Sequence, residues 1–233
     1  MTDSRRVVHL KQIDHTELRT LATYDDIRRL CFEAVHCGFG AVALHPIHCE
    51  RAAEHLRGSG VGIVAVVGFS TGAFSIEGKA FEARDAIERG ATEIDFVINV
   101  GALRGGRHQL VLEEMRALRE AAQGHTVKAI LETNVLTDEE KRLACELAID
   151  TGLDYVETSA GFASGGATVE DVRLMKEIAG DAVKVKASGG IRDAQTALAM
   201  IEVGASRLGT TAGVQIAQTL ASMSNDLDRE ETK

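Results

Sequence analysis

Residues 183–209 read VKVKASGGIRDAQTALAMIEVGASRLG. The stretch opens with a short β-branched run, 183–186, and breaks at Ser188-Gly189-Gly190. Apolar residues then recur at helical spacing over 193–203, and a second short run follows at 206–209. Strand, glycine loop, helix and strand in that order make one βα unit and the start of the next. The fold turns on whether this unit repeats.

It does repeat, from one end of the chain to the other. Strands are predicted at 41–45, 61–68, 92–99, 126–132 and 154–158, with a weaker first strand at 11–15. Helical patterns fall between them at about 25–38, 48–57, 76–89, 108–123, 138–151 and 169–179, and a last one at 212–222. Thr137 before Asp138-Glu139-Glu140, and Thr168 before Val169-Glu170-Asp171, read as helix caps. Eight βα units in 233 residues fit an α/β fold of the (β/α)₈ TIM-barrel type. A doubly wound open sheet would carry a glycine fingerprint after its first strand, and IDHTELRT (13–20) has none. No linker or composition shift divides the chain. One domain over 1–233 is expected, with a polar, flexible tail at about 223–233.

Composition narrows the function. Hydrophobic residues make up 45% and charged residues 26%, ordinary for a globular chain. The net charge is −9, with two Tyr and no Trp, so a nucleic-acid partner is not expected. No apolar run reaches a membrane span, and Met1 to Arg6 leads into no secretory core, so a cytoplasmic location is expected. Cys31, Cys37, Cys49 and Cys145 form no CxxC pair and read as reduced thiols. No HxH or HxxxH pair supports a metal, and no metal or cofactor is expected.

A barrel of this kind presents its chemistry at the C-terminal ends of the strands. Those ends carry Asp14, His45, Asp95, Asn99, Glu132, Glu157 and Lys186. Lys186 ends a strand just before the glycine loop, with Glu157 on the preceding strand. Lys184 shares its face by the two-residue period and lies either one layer deeper or, after a register slip, against the helices. Asp95 interrupts the apolar run 94–98, where a carboxylate needs a partner. Two glycine loops, Ser188-Gly189-Gly190 and Gly209-Thr210-Thr211, follow the last two strands. That is where barrels often bind phosphate. Gly165 and Gly166 are expected beside them, and His45 within reach of a substrate.

Several segments together resemble the deoxyribose-phosphate aldolases. They include IDHT (13–16), KAFEA (79–83), Glu93-Ile94-Asp95, TDEEK (137–141), GGATVEDV (165–172) and KASGGIR (186–192). The likeness runs in order from about residue 12 to 213. It implies a class I aldolase barrel that needs no metal and joins acetaldehyde reversibly to glyceraldehyde 3-phosphate. It also implies a homodimer or homotetramer. By resemblance Asp95 is the proton-transfer aspartate and Lys186 the strand-seven lysine. Asp14 lies near the substrate hydroxyl, and Ser188 to Gly190 with Gly209 to Thr211 hold the phosphate.

Strand six departs from that pattern. The family has a Schiff-base lysine followed by Thr-Ser-Thr-Gly, whereas this chain reads ETSAG (157–161), with Thr158 expected among the substrate-binding residues. A carboxylate cannot form an imine. Ser70-Thr71 also replaces Pro-Leu after strand three. Three readings follow: aldol chemistry on a small phosphorylated sugar or aldehyde, with Lys186 or Lys184 as the amine; imine-free acid/base chemistry by Glu157, Lys186 and Asp95; or a silent sugar-phosphate binder.

Overall fold

The computed structural model describes residues 8–162 and 165–231. Eight parallel strands close into a barrel in sequence order, and β8 returns to pair with β1. The strands are β1 (Ile13–Glu17), β2 (Ala41–Leu44), β3 (Gly62–Val67), β4 (Glu93–Val97), β5 (Thr126–Ile130), β6 (Tyr155–Glu157), β7 (Lys184–Ser188) and β8 (Arg207–Thr210). The helices outside are α1 (Tyr24–Cys37), α2 (Cys49–Leu56), α3 (Ile76–Glu88), α4 (Val100–Arg104), α5 (His108–Ala121), α6 (Asp138–Asp150), α7 (Val169–Ala179), α8 (Ala194–Glu202) and α9 (Gly213–Glu231).

Strand alternation sorts the side chains into two layers. Outward-facing Val42, Ile63, Phe96, Ala129, Val156 and Val185 are fully or almost fully buried against the helices and form the main core. Ala41, Ala43 and Val64 make a separate small cluster inside the barrel. Val66 and Ile130 also face inward at the cavity. Beside these apolar residues the interior carries charges, whose register aligns Asp95 with Lys128 and Glu157 with Lys186.

Local signals set the helix starts. The Thr137 hydroxyl accepts from the Glu140 N–H, and the Glu140 carboxylate accepts from the Thr137 N–H. Thr23 with Asp26 does the same for α1. Behind β4, the buried Lys79 ammonium donates to the Val97 carbonyl and to Glu114, each at 2.6 Å. Glu114 in turn accepts from the Asn99 N–H at 2.8 Å. This pair ties α3 and α5 to the end of the strand that carries Asp95.

The structure corrects several boundaries. Asn99 does not continue β4; its side chain accepts from the Ala102 N–H and starts the short α4. Helix α9 runs on to Glu231, through part of the expected polar tail, because that segment has no Gly or Pro to stop it. Met1 to Arg6 and residues 232–233 lie outside the described residues. Lys184 sits exposed at the N-terminal end of β7, its ammonium 5.5 Å from the Tyr155 ring centroid. It is therefore excluded as an active-site amine. Among the described residues no helix is long and apolar enough to cross a membrane.

Candidate active site

A cavity of about 230 Å³ opens at the C-terminal end of the barrel. Its floor holds Asp95, Glu157 and Lys186, and its sides include Ser188, Gly189, Gly190, Gly209, Thr210 and Thr211. Nine of the expected site residues thus converge on one space.

Lys186 is the hub. Its ammonium pairs with Asp95, stands 2.9 Å from Asp14 and lies 3.3 Å from Glu157. Burial opposes its charge, but Asp95, Glu157 and Asp14 outweigh burial and raise its pKa well above the usual lysine value. Asp14 does not reach the cavity wall. It lies fully buried below Lys186, with Arg207 donating to it at 2.6 Å. Burial penalises the Asp14 charge too, yet Lys186 and Arg207 hold its carboxyl below the usual range.

Three members of this cluster had not been singled out in the sequence. Lys128 on β5 contacts Asp95 at 2.6 Å and Glu93 at 2.5 Å. Arg207 on β8 bridges Asp14 and Glu93, at 2.6 and 2.7 Å. The signal was present, because Lys128 interrupts an apolar strand run just as Asp95 does. Glu93 and Arg207 sit at strand starts, where a charge reads as solvent-facing.

The charge balance of the cluster bears on the remaining group. Asp14, Glu93 and Asp95 face Lys128, Lys186 and Arg207, three against three. Glu157 is a fourth carboxyl, and the cation it reaches, Lys186 at 3.3 Å, is shared with Asp95 and Asp14. Burial pushes its pKa from 4.5 up to about 8, with Lys186 pulling it only part of the way back. Glu157 is thus a buried acid that is mostly neutral at pH 7 and can still release a proton. Both interior lysines stay charged: burial disfavours the Lys128 ammonium, but Asp95 more than offsets it. Neither offers a free amine.

The loops above are stitched together. The Thr158 hydroxyl donates to the Ser188 carbonyl at 2.8 Å and accepts from the Ser188 N–H at 2.9 Å. Thr158 is fully buried and does not line the cavity, so the structure gives it a clamping place rather than a substrate contact. The Thr210 hydroxyl donates to the Ile191 carbonyl at 2.6 Å and joins the loops after β7 and β8. Gly165 packs against Asn134, and Gly166 lies so close to the Gly189 carbonyl that a Cβ would sit 2.4 Å from it. Neither glycine lines the cavity; Gly166 supports the loop that does. His45 also falls outside the lining, its ring against Phe69 and its Nε2 3.1 Å from the Leu18 carbonyl. Loop residues Leu18, Phe69, Phe162 and Arg192 reach the cavity instead, and no periodic pattern marks them in the sequence.

Glu132 has an unexpected duty. It adopts a left-handed backbone (φ 58°), and its buried carboxyl accepts from the Ala160 N–H, fixing the turn after Glu157. The four cysteines are free; burial pushes the Cys49 and Cys145 thiols up to about 12. Among the described residues, no cluster of three His, Cys, Asp or Glu could hold a metal.

The comparisons with known proteins agree with this geometry. The DeoC/LacD family of aldolases matches residues 8–219. A deoxyribose-phosphate aldolase of Brevibacillus brevis is 52% identical over 206 residues, which cover 88% of this chain and 93% of that protein. One of Carboxydothermus hydrogenoformans is 50% identical over 95% of this chain and 98% of its own. Among solved structures, the aldolase QR15 superposes with a TM-score of 0.89 at 36% identity, covering 97% of this chain and all of that one (100%). The tetrameric deoxyribose phosphate aldolase of Aeropyrum pernix superposes with a TM-score of 0.86 at 31% identity, covering 92% and 91%. A closed barrel with a carboxylate–lysine cluster under two glycine loops, and half its residues shared with such relatives, places this chain in the DeoC/LacD aldolase family as a carbon–carbon lyase.

Proposed function

We propose that the chain makes and breaks the carbon–carbon bond of a small phosphorylated β-hydroxy aldehyde without an imine, using Glu157 as the proton carrier. One observation carries the reading: Glu157 is a fourth carboxyl around three interior cations, shares Lys186, at 3.3 Å, with Asp95 and Asp14, and has its pKa raised to about 8. In the cleavage direction, ionised Glu157 takes the β-hydroxyl proton. The carbon–carbon bond breaks, and its electron pair forms an enolate on the smaller fragment. The Lys186 ammonium donates a hydrogen bond to the enolate oxygen. Protonated Glu157 then returns its proton to the enolate carbon. One proton moves from oxygen to carbon, and Glu157 ends as it began. Asp95 and Asp14 keep Lys186 charged and in place.

The phosphate would lie at Ser188 to Gly190 and Gly209 to Thr211. Backbone amides approach closely there, and Arg192 makes no ion pair among the described residues. The relatives named for deoxyribose phosphate support that class of substrate. The tetramer named for the Aeropyrum pernix protein supports a homodimer or homotetramer here.

The test is turnover of deoxyribose phosphate with and without borohydride, followed by mass mapping. The reading expects cleavage to acetaldehyde, no adduct and no inactivation. A reduced adduct on Lys186 or Lys128 would overturn the imine-free route. Absence of cleavage with every phosphorylated β-hydroxy aldehyde would overturn the reaction itself.

A further inference from the structure

The cavity has two unlike sides. From β6 round to β8 the wall is mainly polar, with the Ser159 and Ser188 hydroxyls, the Gly189–Gly190 loop and Arg192 beside Ala160 and Ile191. On the opposite side Leu18, Ala43, Val66, Phe69 and Ile130 make an apolar stretch, with Thr16 and Arg19 the polar residues at its β1 end. Phe162, from the loop after β6, leans across to complete the apolar side. Its ring centroid lies 5.2 Å from that of Phe69 with the planes at 88°, and Phe69 in turn meets His45 edge-on at 5.6 Å. Phe162 and Phe69 stand on one lip of the pocket, with His45 behind Phe69 outside the lining.

Phe162 remains 56% exposed there. A large aromatic ring left open on a cavity rim gains when an apolar group covers it. A polyhydroxylated chain laid against the Phe69 and Phe162 rings would lose water from its hydroxyls with no side-chain partner on those rings to replace it. The cations agree with this division. Of the three that reach the cavity, Lys186 is held by carboxylates and Arg19 is paired with Glu17 and Asp26. Only Arg192, on the polar side, is without an ion pair among the described residues.

We propose that the pocket takes an amphiphilic carbonyl compound, its anionic end at Gly189, Gly190 and Arg192 and an alkyl or aryl arm against Phe69 and Phe162. Which reaction the compound undergoes rests on the lyase reading above; the place of its arm rests on the cavity wall alone. Each methylene buried on that wall multiplies affinity roughly fourfold.

Ligand-observed NMR with benzylacetone, an aryl ketone without phosphate, tests the arm. Wild-type protein is expected to bind it, and Phe162→Ala to weaken binding about tenfold. Phe69→Leu should weaken it as well. Glycerol phosphate should lose less affinity than benzylacetone in both variants. Phe81→Ala, on the exposed outer face of α3, serves as the control and should change neither ligand. A parallel aldol assay offers glyceraldehyde 3-phosphate with acetaldehyde or hexanal. Binding of benzylacetone that depends on Phe162, with no turnover of either aldehyde, would sink the lyase reading and leave the inference standing. No binding to wild-type protein, or equal binding to Phe162→Ala, would overturn the inference whatever the turnover.

Discussion

Position 157 is the neutral seat of a charged ring. Three cations already answer three carboxylates around it, so any ionisable group placed there is pressed toward its uncharged form. For Glu157 that means protonation, and a pKa near 8. Only the ionised fraction starts the proposed reaction, so kcat/KM should climb about tenfold per pH unit below that midpoint and level off above it. Glu157→Gln should lower kcat/KM by about 10²–10⁴-fold and abolish the climb. A pH–rate profile of the wild type that is flat between about pH 6 and 9 would remove Glu157 from the proton path. The same logic predicts the fate of a lysine at this position. In Glu157→Lys the new amine faces a ring still balanced at three and three, and it is pressed toward the neutral, nucleophilic form. Acetaldehyde with borohydride should then leave a reduced ethyl adduct on residue 157, found by peptide mass. A folded variant that takes no adduct would show that the ring does not set the charge of this seat.

At the scale of the element, β6 is short and depends on its neighbours. It has three residues, Tyr155–Glu157, and the turn that follows is held by Thr158 and Glu132. Thr158→Val keeps the shape and removes the hydroxyl, leaving both the N–H and the carbonyl of Ser188 without that partner. Each stranded buried group costs about 1–3 kcal/mol. For a chain of this size that is a fall of at least about 2–4 °C in Tm. Calorimetry showing an unchanged Tm would mean that the two strand ends are held by something else. This clamp was not legible in the sequence, where Thr158 read as a residue facing the substrate. Strand residues were legible because alternation fixes their side: the Asp95, Glu157 and Lys186 side chains all point into the barrel as the period requires. Thr158 follows the inward-facing Glu157, so alternation turns it away from the cavity, where its hydroxyl meets the Ser188 backbone. Lys128 was legible in principle and overlooked, since a lysine amid Val127, Ala129 and Ile130 carries the same signal as Asp95. Phe69 and Phe162 belong to loops, whose paths are set by packing against other loops. Their meeting across the mouth could not be read from either segment.

The fold places this ring at the centre of the whole molecule, so its protonation bears on global stability. Glu157 titrates near 4.5 when unfolded and about 8 when folded. Its burial therefore costs nothing extra below the lower value, where both states hold the proton. As pH rises between the two values, the unfolded chain gains by ionising and the folded one does not. The loss approaches about 1.4 kcal/mol per pH unit and ceases to grow above the folded value. Asp14 and Asp95 act in the opposite sense. Burial disfavours their charges, but the neighbouring lysines, with Arg207 beside Asp14, hold both pKa values below the ordinary carboxylate value. Their contribution is present above that ordinary value and is lost as pH falls through the folded one. Glu157→Gln removes the first effect and keeps the second. Its stability should match the wild type's pH trend in acid and pull ahead of the wild type as pH rises from about 5 to 8, by a few kcal/mol in all. Urea unfolding of the two proteins at several pH values measures that gap directly. A gap that stays constant across the window would mean that Glu157 is ionised in the folded protein at neutral pH, with the ring carrying a net negative charge.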